Sequence, residues 1–299
     1  PFLSSFPYED TPDQIRAWHE ISDDLSANFP MDRLLCGDVG FGKTELAIRA
    51  AFRVVLSKKR VVVLSPTTIL ANQLKSSFSA RLEPNAITVD MVSRFRSQKE
   101  LISVKKSIEE NNNDVLIGTH AVLNNDIYLK NIGLLIVDEE HRFGVKHKEK
   151  IKRFKSCVDV LSMSATPIPR SMNLALSGIY SVSMLQTAPR LRLPIKTQIE
   201  YYNESIIKEA IDFEVGRGGQ VYFVHNDIDS IQNVSHKLQN LFPKNYVDYI
   251  HGQEPSGKIE KKMVAFISGK IDVLVCTSII ESGIDVPAAN CIIINNSHL

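Results

Sequence analysis

Residues Gly37-Asp38-Val39-Gly40-Phe41-Gly42-Lys43-Thr44 fit the pattern G-x-x-x-x-G-K-[ST], and their flanks restrict the fold more than any other feature of the chain. The apolar run Leu34-Leu35-Cys36 leads in as a short buried strand does. Glu45-Leu46-Ala47-Ile48-Arg49-Ala50-Ala51-Phe52 leads out with apolar residues at helical spacing. A strand, a glycine-rich turn and a helix in that order point successive backbone N–H groups at a phosphate, with the positive end of the helix dipole behind them. Gly37 to Gly42 would then form the cradle, Lys43 would reach the β and γ phosphates, and Thr44 would hold Mg²⁺. The competing reading is a chance run of common residues.

A second segment adds hydrolysis to binding. Leu134-Leu135-Ile136-Val137 is wholly apolar and ends in Asp138-Glu139-Glu140-His141. Such a run fits a strand buried on both faces of a parallel sheet, and ligands of such sheets lie at the carboxyl ends of the strands. Adjacent carboxylates repel and resist burial, so three of them call for a cation. Asp138 would bind Mg²⁺, directly or through water, and Glu139 would orient or deprotonate the attacking water. A solvated acidic turn is the alternative, and the phosphate-loop pattern upstream weighs against it.

Strand-like runs recur at 33–36, 60–64, 87–91, 114–117, 133–137 and 158–162, separated by helix-patterned segments at 12–26, 43–56, 67–81, 97–110 and 145–155. This alternation predicts an α/β fold with a mostly parallel sheet flanked by helices. The stretch Gln186-Thr187-Ala188-Pro189-Arg190-Leu191-Arg192-Leu193-Pro194 is irregular and basic, as a linker is. Beyond it the alternation restarts, with strands expected at 196–201, 220–224, 246–250, 271–276 and 290–294 and helices at 204–215, 228–240 and 256–268. The expected organisation is a first lobe over 1–185, a linker over 186–195 and a second, incomplete lobe over 196–299. The second lobe carries Thr277-Ser278-Ile279-Ile280-Glu281-Ser282-Gly283-Ile284-Asp285-Val286-Pro287 after the strand-like Val273-Leu274-Val275-Cys276. Gly283 and Asp285 make that segment a candidate ligand-facing loop, although by itself it reads no better than an ordinary loop.

Composition narrows the classes. At 299 residues the chain can bury two full cores. A hydrophobic content of 43% and a charged content of 23% suit a soluble globular protein. A net charge of +1 means that any nucleic-acid partner must be bound by a local patch. The longest apolar runs fall short of a membrane span, and no leader pattern opens the chain, so no membrane partner is expected. Cys36, Cys157, Cys276 and Cys291 lack C-x-x-C spacing and read as free thiols, mostly buried, in a reducing cytosol, which makes the expected location cytoplasmic. Pro1 at the start and His298-Leu299 close after Cys291-Ile292-Ile293-Ile294 suggest a piece of a longer protein. The densest basic run, Lys146-His147-Lys148-Glu149-Lys150-Ile151-Lys152-Arg153-Phe154-Lys155, as a helix turns Ile151 and Phe154 inward. Its bases then form either a solvated face or a contact with the DNA backbone.

The order of segments is itself a signature. Phe6 to Gln14, Gly37 to Thr44, Pro66-Thr67-Thr68, Gly118-Thr119-His120, Asp138 to His141, Ser164-Ala165-Thr166 and Thr277 to Pro287 follow one another along the chain. Together they resemble the motifs of superfamily 2 helicases and translocases. Four stretches in the first lobe look like the transcription-repair coupling factor family of bacteria: Met31 to Gly40, Ser93-Arg94-Phe95-Arg96, Asp138 to Val145, and Ala165-Thr166-Pro167-Ile168-Pro169-Arg170. Gly218-Gly219-Gln220-Val221-Tyr222 and Leu274-Val275-Cys276-Thr277 extend the likeness. The related RecG-type branch-migration helicases usually carry Asp-Glu-Gln-His where this chain has Asp138-Glu139-Glu140-His141.

The resemblance implies two RecA-like lobes binding ATP and Mg²⁺. It implies that Gln14 reads the adenine edge with Phe6 or Tyr8 against its ring. Lys43, Thr44, Asp138 and Glu139 keep the roles given above, and Gly283 and Asp285 face the nucleotide. His141, Ser164 and Thr166 would couple nucleotide state to DNA. Thr68, Thr119, His120 and Thr277 would touch the backbone of one strand of double-stranded DNA, a contact blind to sequence; each threonine reads equally well as a strand-end cap. The implied activity is an ATP-dependent DNA translocase that displaces stalled RNA polymerase and helps recruit excision-repair proteins through domains outside this chain. A fork-remodelling helicase and a nucleotide-binding module without turnover are the alternatives. Ser282 stands where the family usually has Thr, and Glu254-Pro255-Ser256-Gly257 is expected to weaken the start of the helix that follows. No Gln-x-x-Gly-Arg-x-Gly-Arg motif occurs, so the isolated chain is expected to hydrolyse ATP weakly.

Overall fold

The computed structural model describes Phe2 and residues 5–93, 98–165, 181–189, 195–278 and 284–296. Contacts divide the chain into Pro1–Leu193 and Pro194–Leu299. Each unit is an α/β layer structure with its own parallel sheet.

In the first unit the strands are β1 (Asp32–Gly37), β2 (Arg60–Leu64), β3 (Val89–Val92), β4 (Val115–Gly118), β5 (Ile132–Asp138), β6 (Asp159–Ser164) and β7 (Ser181–Leu185). They lie in the order β3-β4-β2-β5-β6-β1-β7, and all pairs are parallel. Helices α1 (Pro12–Asp24), α2 (Lys43–Leu56), α3 (Thr68–Leu82), α4 (Gln98–Glu109) and α5 (Val145–Phe154) alternate with them. The sheet buries both faces. Leu35, Val61, Val63, Val115, Ile117, Leu134, Ile136 and Leu161 join one core with α2 and α3, while Val62, Leu64, Leu116, Leu135, Val137 and Val160 join another with Val104, Ile108 and Ile151. Strands covered on both sides have no polar face, which is why they read as unbroken apolar runs.

Local signals set the helix starts. Thr11 and Gln14 close a reciprocal capping box on α1, with Pro12 in the first turn. The Thr67 side chain accepts the Leu70 N–H at the start of α3. Ile151 is fully buried and Phe154 partly so, as the pattern of the basic helix α5 predicts.

In the second unit α6 (Glu204–Gly216), β8 (Val221–His225), α7 (Ile231–Leu241), β9 (Val247–Ile250), α8 (Ser256–Ile267), β10 (Val273–Cys276) and β11 (Cys291–Asn295) form a sheet in the order β11-β8-β10-β9, again parallel throughout. Val221, Phe223, Val273 and Val275 pack against Ile207, Ile211, Ile231, Leu238 and Phe242.

Two sequence expectations fail here. Residues 196–201 form no strand: the segment from 195 to 203 has no regular structure, and Ile199 and Tyr201 are 88% and 96% exposed. Its alternation of apolar and polar residues satisfies the strand pattern, but a strand exists only where a neighbour takes its backbone bonds. Conversely β7 went unforeseen, because Ser181-Val182-Ser183-Met184-Leu185 is a weak apolar run made a strand by pairing with β1. The helix at 256 does form: Glu254 is buried just before it and pairs with Lys258 at 2.6 Å and Lys262 at 3.6 Å. All four cysteines are free; Cys36 and Cys276 are buried, Cys291 is half-buried and Cys157 is exposed.

Candidate functional site

Sheet order assembles the site. Along the carboxyl edge β5, β6, β1 and β7 are consecutive, so Asp138, Ser164, Gly37 and Leu185 end neighbouring strands. Asp138 pairs in register with Met163, Cys36 with Ser164, and Gly37 with Leu185. Segments up to 148 residues apart in sequence, Gly37 and Leu185, thereby share one edge. The cores beneath hold them at strand ends, where the ladder stops and side chains can face a ligand.

The glycine-rich turn leads into α2 through Gly42, at φ 84°. A Cβ there would lie 2.3 Å from Gln14 Nε2, so both the left-handed backbone and the close approach require glycine. Lys43 Nζ donates to Gly37 O at 2.6 Å and to Asp38 O at 3.1 Å. Burial pushes the Lys43 ammonium below its ordinary value, and the carboxylates of Glu139, Asp138 and Asp38 oppose that shift. The buried Gln14 is engaged at both ends of its amide: Oε1 accepts the Thr11 N–H at 2.8 Å, and Nε2 donates to Phe41 O at 2.9 Å. One N–H and one lone pair of the amide remain for another partner. The Phe6 ring lies 5.1 Å from the Arg49 guanidinium and 5.6 Å from that of Arg81, with Tyr8 edge-on at 5.4 Å. Tyr8 itself is 61% exposed.

Across the edge, Asp138 is pushed up to about 6, first by burial and then by the neighbouring Glu139. Glu139 has φ 48°, a left-handed conformation that a non-glycine residue keeps only when its surroundings hold it. Here its N–H donates to Met163 O at 2.9 Å. Its carboxylate accepts the Ala165 N–H at 3.1 Å and the Ser164 hydroxyl at 3.5 Å, and His141 Nδ1 lies 3.3 Å away. The turn of strand β6 thus grips the residue at the end of β5.

The third acid faces elsewhere. Glu140 accepts the Ser162 hydroxyl at 2.6 Å and lies 3.8 Å from Lys155, which pairs with Asp32 at 3.0 Å. A structural ion network, rather than a cation, thus explains one of the three carboxylates. Among the described residues no cluster of three His, Cys, Asp or Glu could hold a metal by itself. The donors available, a carboxylate that resists ionisation at Asp138 and the hydroxyl of Thr44 in the first turn of α2, fit Mg²⁺ that keeps waters and phosphate oxygens as its other ligands.

The remaining sequence candidates spread along both edges. Thr68 is buried in the first turn of α3, beyond β2. Thr119 is buried after β4, and His120 is exposed with its ring 4.6 Å from that of His147 on α5. In the second unit Thr277 is buried at the end of β10, Ser278 N–H donates to Asn226 Oδ1 at 3.1 Å, and Asp285 is exposed. Thr166, Pro167, Arg170, Arg94, Phe95, Arg96, Glu281, Ser282, Gly283 and residues 190–194 of the linker lie outside the described residues. Missed from sequence were the Ala165 N–H and the Phe41 carbonyl, because backbone groups have no signature in a sequence.

The chain is similar to known proteins in sequence and in fold. Residues 11–174 match the DEAD/DEAH box helicase family and residues 202–298 the helicase conserved C-terminal domain. The transcription-repair-coupling factors of Bacillus subtilis (strain 168) and Escherichia coli (strain K12) are 46% and 47% identical over 98% and 99% of this chain. The chain spans about a quarter of their length, 25% and 26%. A structure of RecG bound to a three-way DNA junction superposes with a TM-score of 0.82 at 34% identity, over 97% of this chain and 39% of RecG. No described helix is long and apolar enough to cross a membrane.

Proposed function

From the premise that this chain belongs to the DEAD/DEAH box helicase family, we propose that it is the ATP-driven motor of a double-stranded DNA translocase of the transcription-repair-coupling kind. The observation that carries the reading is the clamp on Glu139. Its backbone is held in a left-handed conformation and its carboxylate is fixed by Ala165 N–H and His141, beside a phosphate loop whose lysine donates to the loop carbonyls of Gly37 and Asp38. Sequence likeness to coupling factors, 46% and 47% identity over 98% and 99% of the chain, supports the finer reading.

Each residue then has a task. Lys43 exchanges its two carbonyl acceptors for phosphate oxygens, and the N–H groups of Gly37 to Thr44 line the same phosphates. Gln14 uses its remaining N–H and lone pair on the adenine edge, and Phe6 lies against the ring. Asp138 and Thr44 hold Mg²⁺, which when bound supplies positive charge against the phosphates. Glu139 orients the attacking water and takes its proton. His141 and Ser164, both on Glu139, pass its position to Thr68, Thr119 and His120 on the DNA side; Thr166, Gly283, Asp285 and Thr277 complete the set. With flanking domains the motor would push on stalled RNA polymerase and help recruit excision repair.

The test is ATPase rate with and without duplex DNA, together with displacement of a third strand from a triplex, for the 299-residue chain and for a protein of the relatives' full length. Duplex-stimulated hydrolysis and strand displacement by the longer protein are expected. Failure of duplex DNA to stimulate either form would overturn the reading. The superposition on RecG favours fork remodelling as the second reading. Unwinding of a three-way junction without triplex displacement would select it.

A further inference from the structure

The first turn of α1 carries two side chains that grip opposite partners. Gln14 holds the phosphate loop through Phe41 O. Its neighbour Asp13 holds the chain that leaves β7 toward the second unit: one oxygen, Oδ2, accepts the Gln186 N–H at 2.9 Å, the Thr187 N–H at 2.8 Å and the Thr187 hydroxyl at 2.8 Å. The other oxygen pairs with Arg16 at 2.7 Å, and Arg16 also donates to Met184 O at 3.0 Å. Capping does not account for this arrangement, because Thr11 and Gln14 already cap α1.

The two grips meet on one rigid body. Strand β7 ends at Leu185 beside Gly37, the first residue of the loop, and a Cβ on Gly37 would lie 2.8 Å from Leu185 Cβ. Farther along, buried Arg33 on β1 ties α1 to both strands, bonding Glu20 at 3.0 Å, Asp24 at 2.7 Å and Ser183 at 2.9 Å. The loop and the departing chain therefore share β1, β7 and α1 as their support.

We infer that Asp13 is a positioning residue, which fixes where and in what direction the chain departs for the second unit and so links nucleotide at the phosphate loop to the placement of that unit. This rests on the proposed nucleotide site. Three bonds to one carboxylate oxygen fix direction as well as position. Without them the first fixed point is Leu185, which frees two more residues, roughly 7 Å of extra reach at about 3.5 Å per residue, and loses the direction. The Gln186 N–H, then the Thr187 hydroxyl, hold the Asp13 carboxyl down to about 2, so the staple stays charged at every physiological pH.

The experiment is a distance measurement by electron spin resonance in the 299-residue chain, with one label on exposed Cys157 and the other on Lys208→Cys, Cys291 being changed to Ser. Mg²⁺ with a non-hydrolysable ATP analogue should narrow the distance distribution of the otherwise unsubstituted chain. Asp13→Ala should bind the analogue within about threefold of the unsubstituted affinity, yet leave the distribution broad. Thr187→Val should act in the same direction more weakly, and Thr187→Ser should behave as the unsubstituted chain does. Should Asp13→Ala fail to fold, as judged by circular dichroism, Thr187→Val against Thr187→Ser carries the comparison. Analogue binding with narrowing that is absent from the start, or that survives Asp13→Ala and Thr187→Val, overturns the inference. Failure of the unsubstituted chain to bind the analogue overturns the nucleotide site instead.

Discussion

At the carboxyl edge of the first sheet a glycine-rich turn, a desolvated lysine and a desolvated aspartate beside a second acid occupy neighbouring strand ends. Among the described residues, the corresponding edge of the second sheet carries groups that satisfy one another. His225, 5% exposed, lies 2.8 Å from Ser230 Oγ through Nε2 and 3.0 Å from Asn295 Nδ2 through Nδ1, Ser230 donates to Asp227, and Asn226 accepts from Ser278. Both edges come from parallel strands, although β11 of the second sheet alternates half-buried and exposed residues. The difference teaches that the architecture supplies a row of strand ends, and the turns decide whether that row stores unmet charge or cancels it. Unmet charge is what a phosphate and a cation would relieve.

The sharpest way to break this contrast is Lys43→Ala. It removes the one lysine of the loop and is expected to abolish ATP binding with the fold intact, read by calorimetric titration. Retained affinity would mean that the first edge is not a phosphate site. Next comes Glu139→Gln, which keeps size and removes the base. Turnover of the full-length protein should fall by at least about a hundredfold with ATP binding preserved, the usual contribution of a positioned base. Near-normal turnover would remove Glu139 from the reaction.

A smaller effect tests the unmet charge directly. Asp138 titrates near 6 instead of the ordinary 3.8, because burial and Glu139 disfavour its charged form. Its ionisation therefore costs stability, nothing below about pH 4 and progressively more as pH rises through 6, to roughly 1–3 kcal/mol at neutral pH. Asp138→Asn should stabilise the nucleotide-free protein by that amount at pH 7.5 and leave it unchanged at pH 4. Chemical denaturation at the two values checks this, and equal effects at both would show that charge is not the cause. The smallest effect belongs to the second edge. Asn226→Ala removes the acceptor for Ser278 N–H and should cost about 1 kcal/mol, the net worth of one hydrogen bond, without changing ATP affinity. A change in ATP affinity there would end the division of labour between the edges.

How much was legible depended on where the information lies. The glycine-rich pattern of residues 37–44, the apolar run into Asp138 and the order of the segments are local patterns, and they announce parallel α/β lobes. Strand membership at the margins is not local. Residues 196–201 have the right alternation and, among the described residues, no strand beside them, whereas 181–185 have a poor pattern and the support of β1. Glu140 looked like a third member of an acidic site, and its partners Ser162 and Lys155 are visible only once β6 and α5 lie beside it.

From residue types and spacing alone came the glycine-rich turn, the acids at the end of β5, the helices and the repeated strand–helix unit, because backbone geometry and burial periodicity act within a dozen residues. The tertiary structure alone decided that β6 stands between β5 and β1, that the Ala165 N–H therefore reaches Glu139, and that Asp13 reaches Thr187 across 174 residues. Those contacts are made by backbone groups and by side chains of ordinary type. Their meaning arises from strand order, which a parallel sheet sets by packing between distant segments rather than by any short run of sequence.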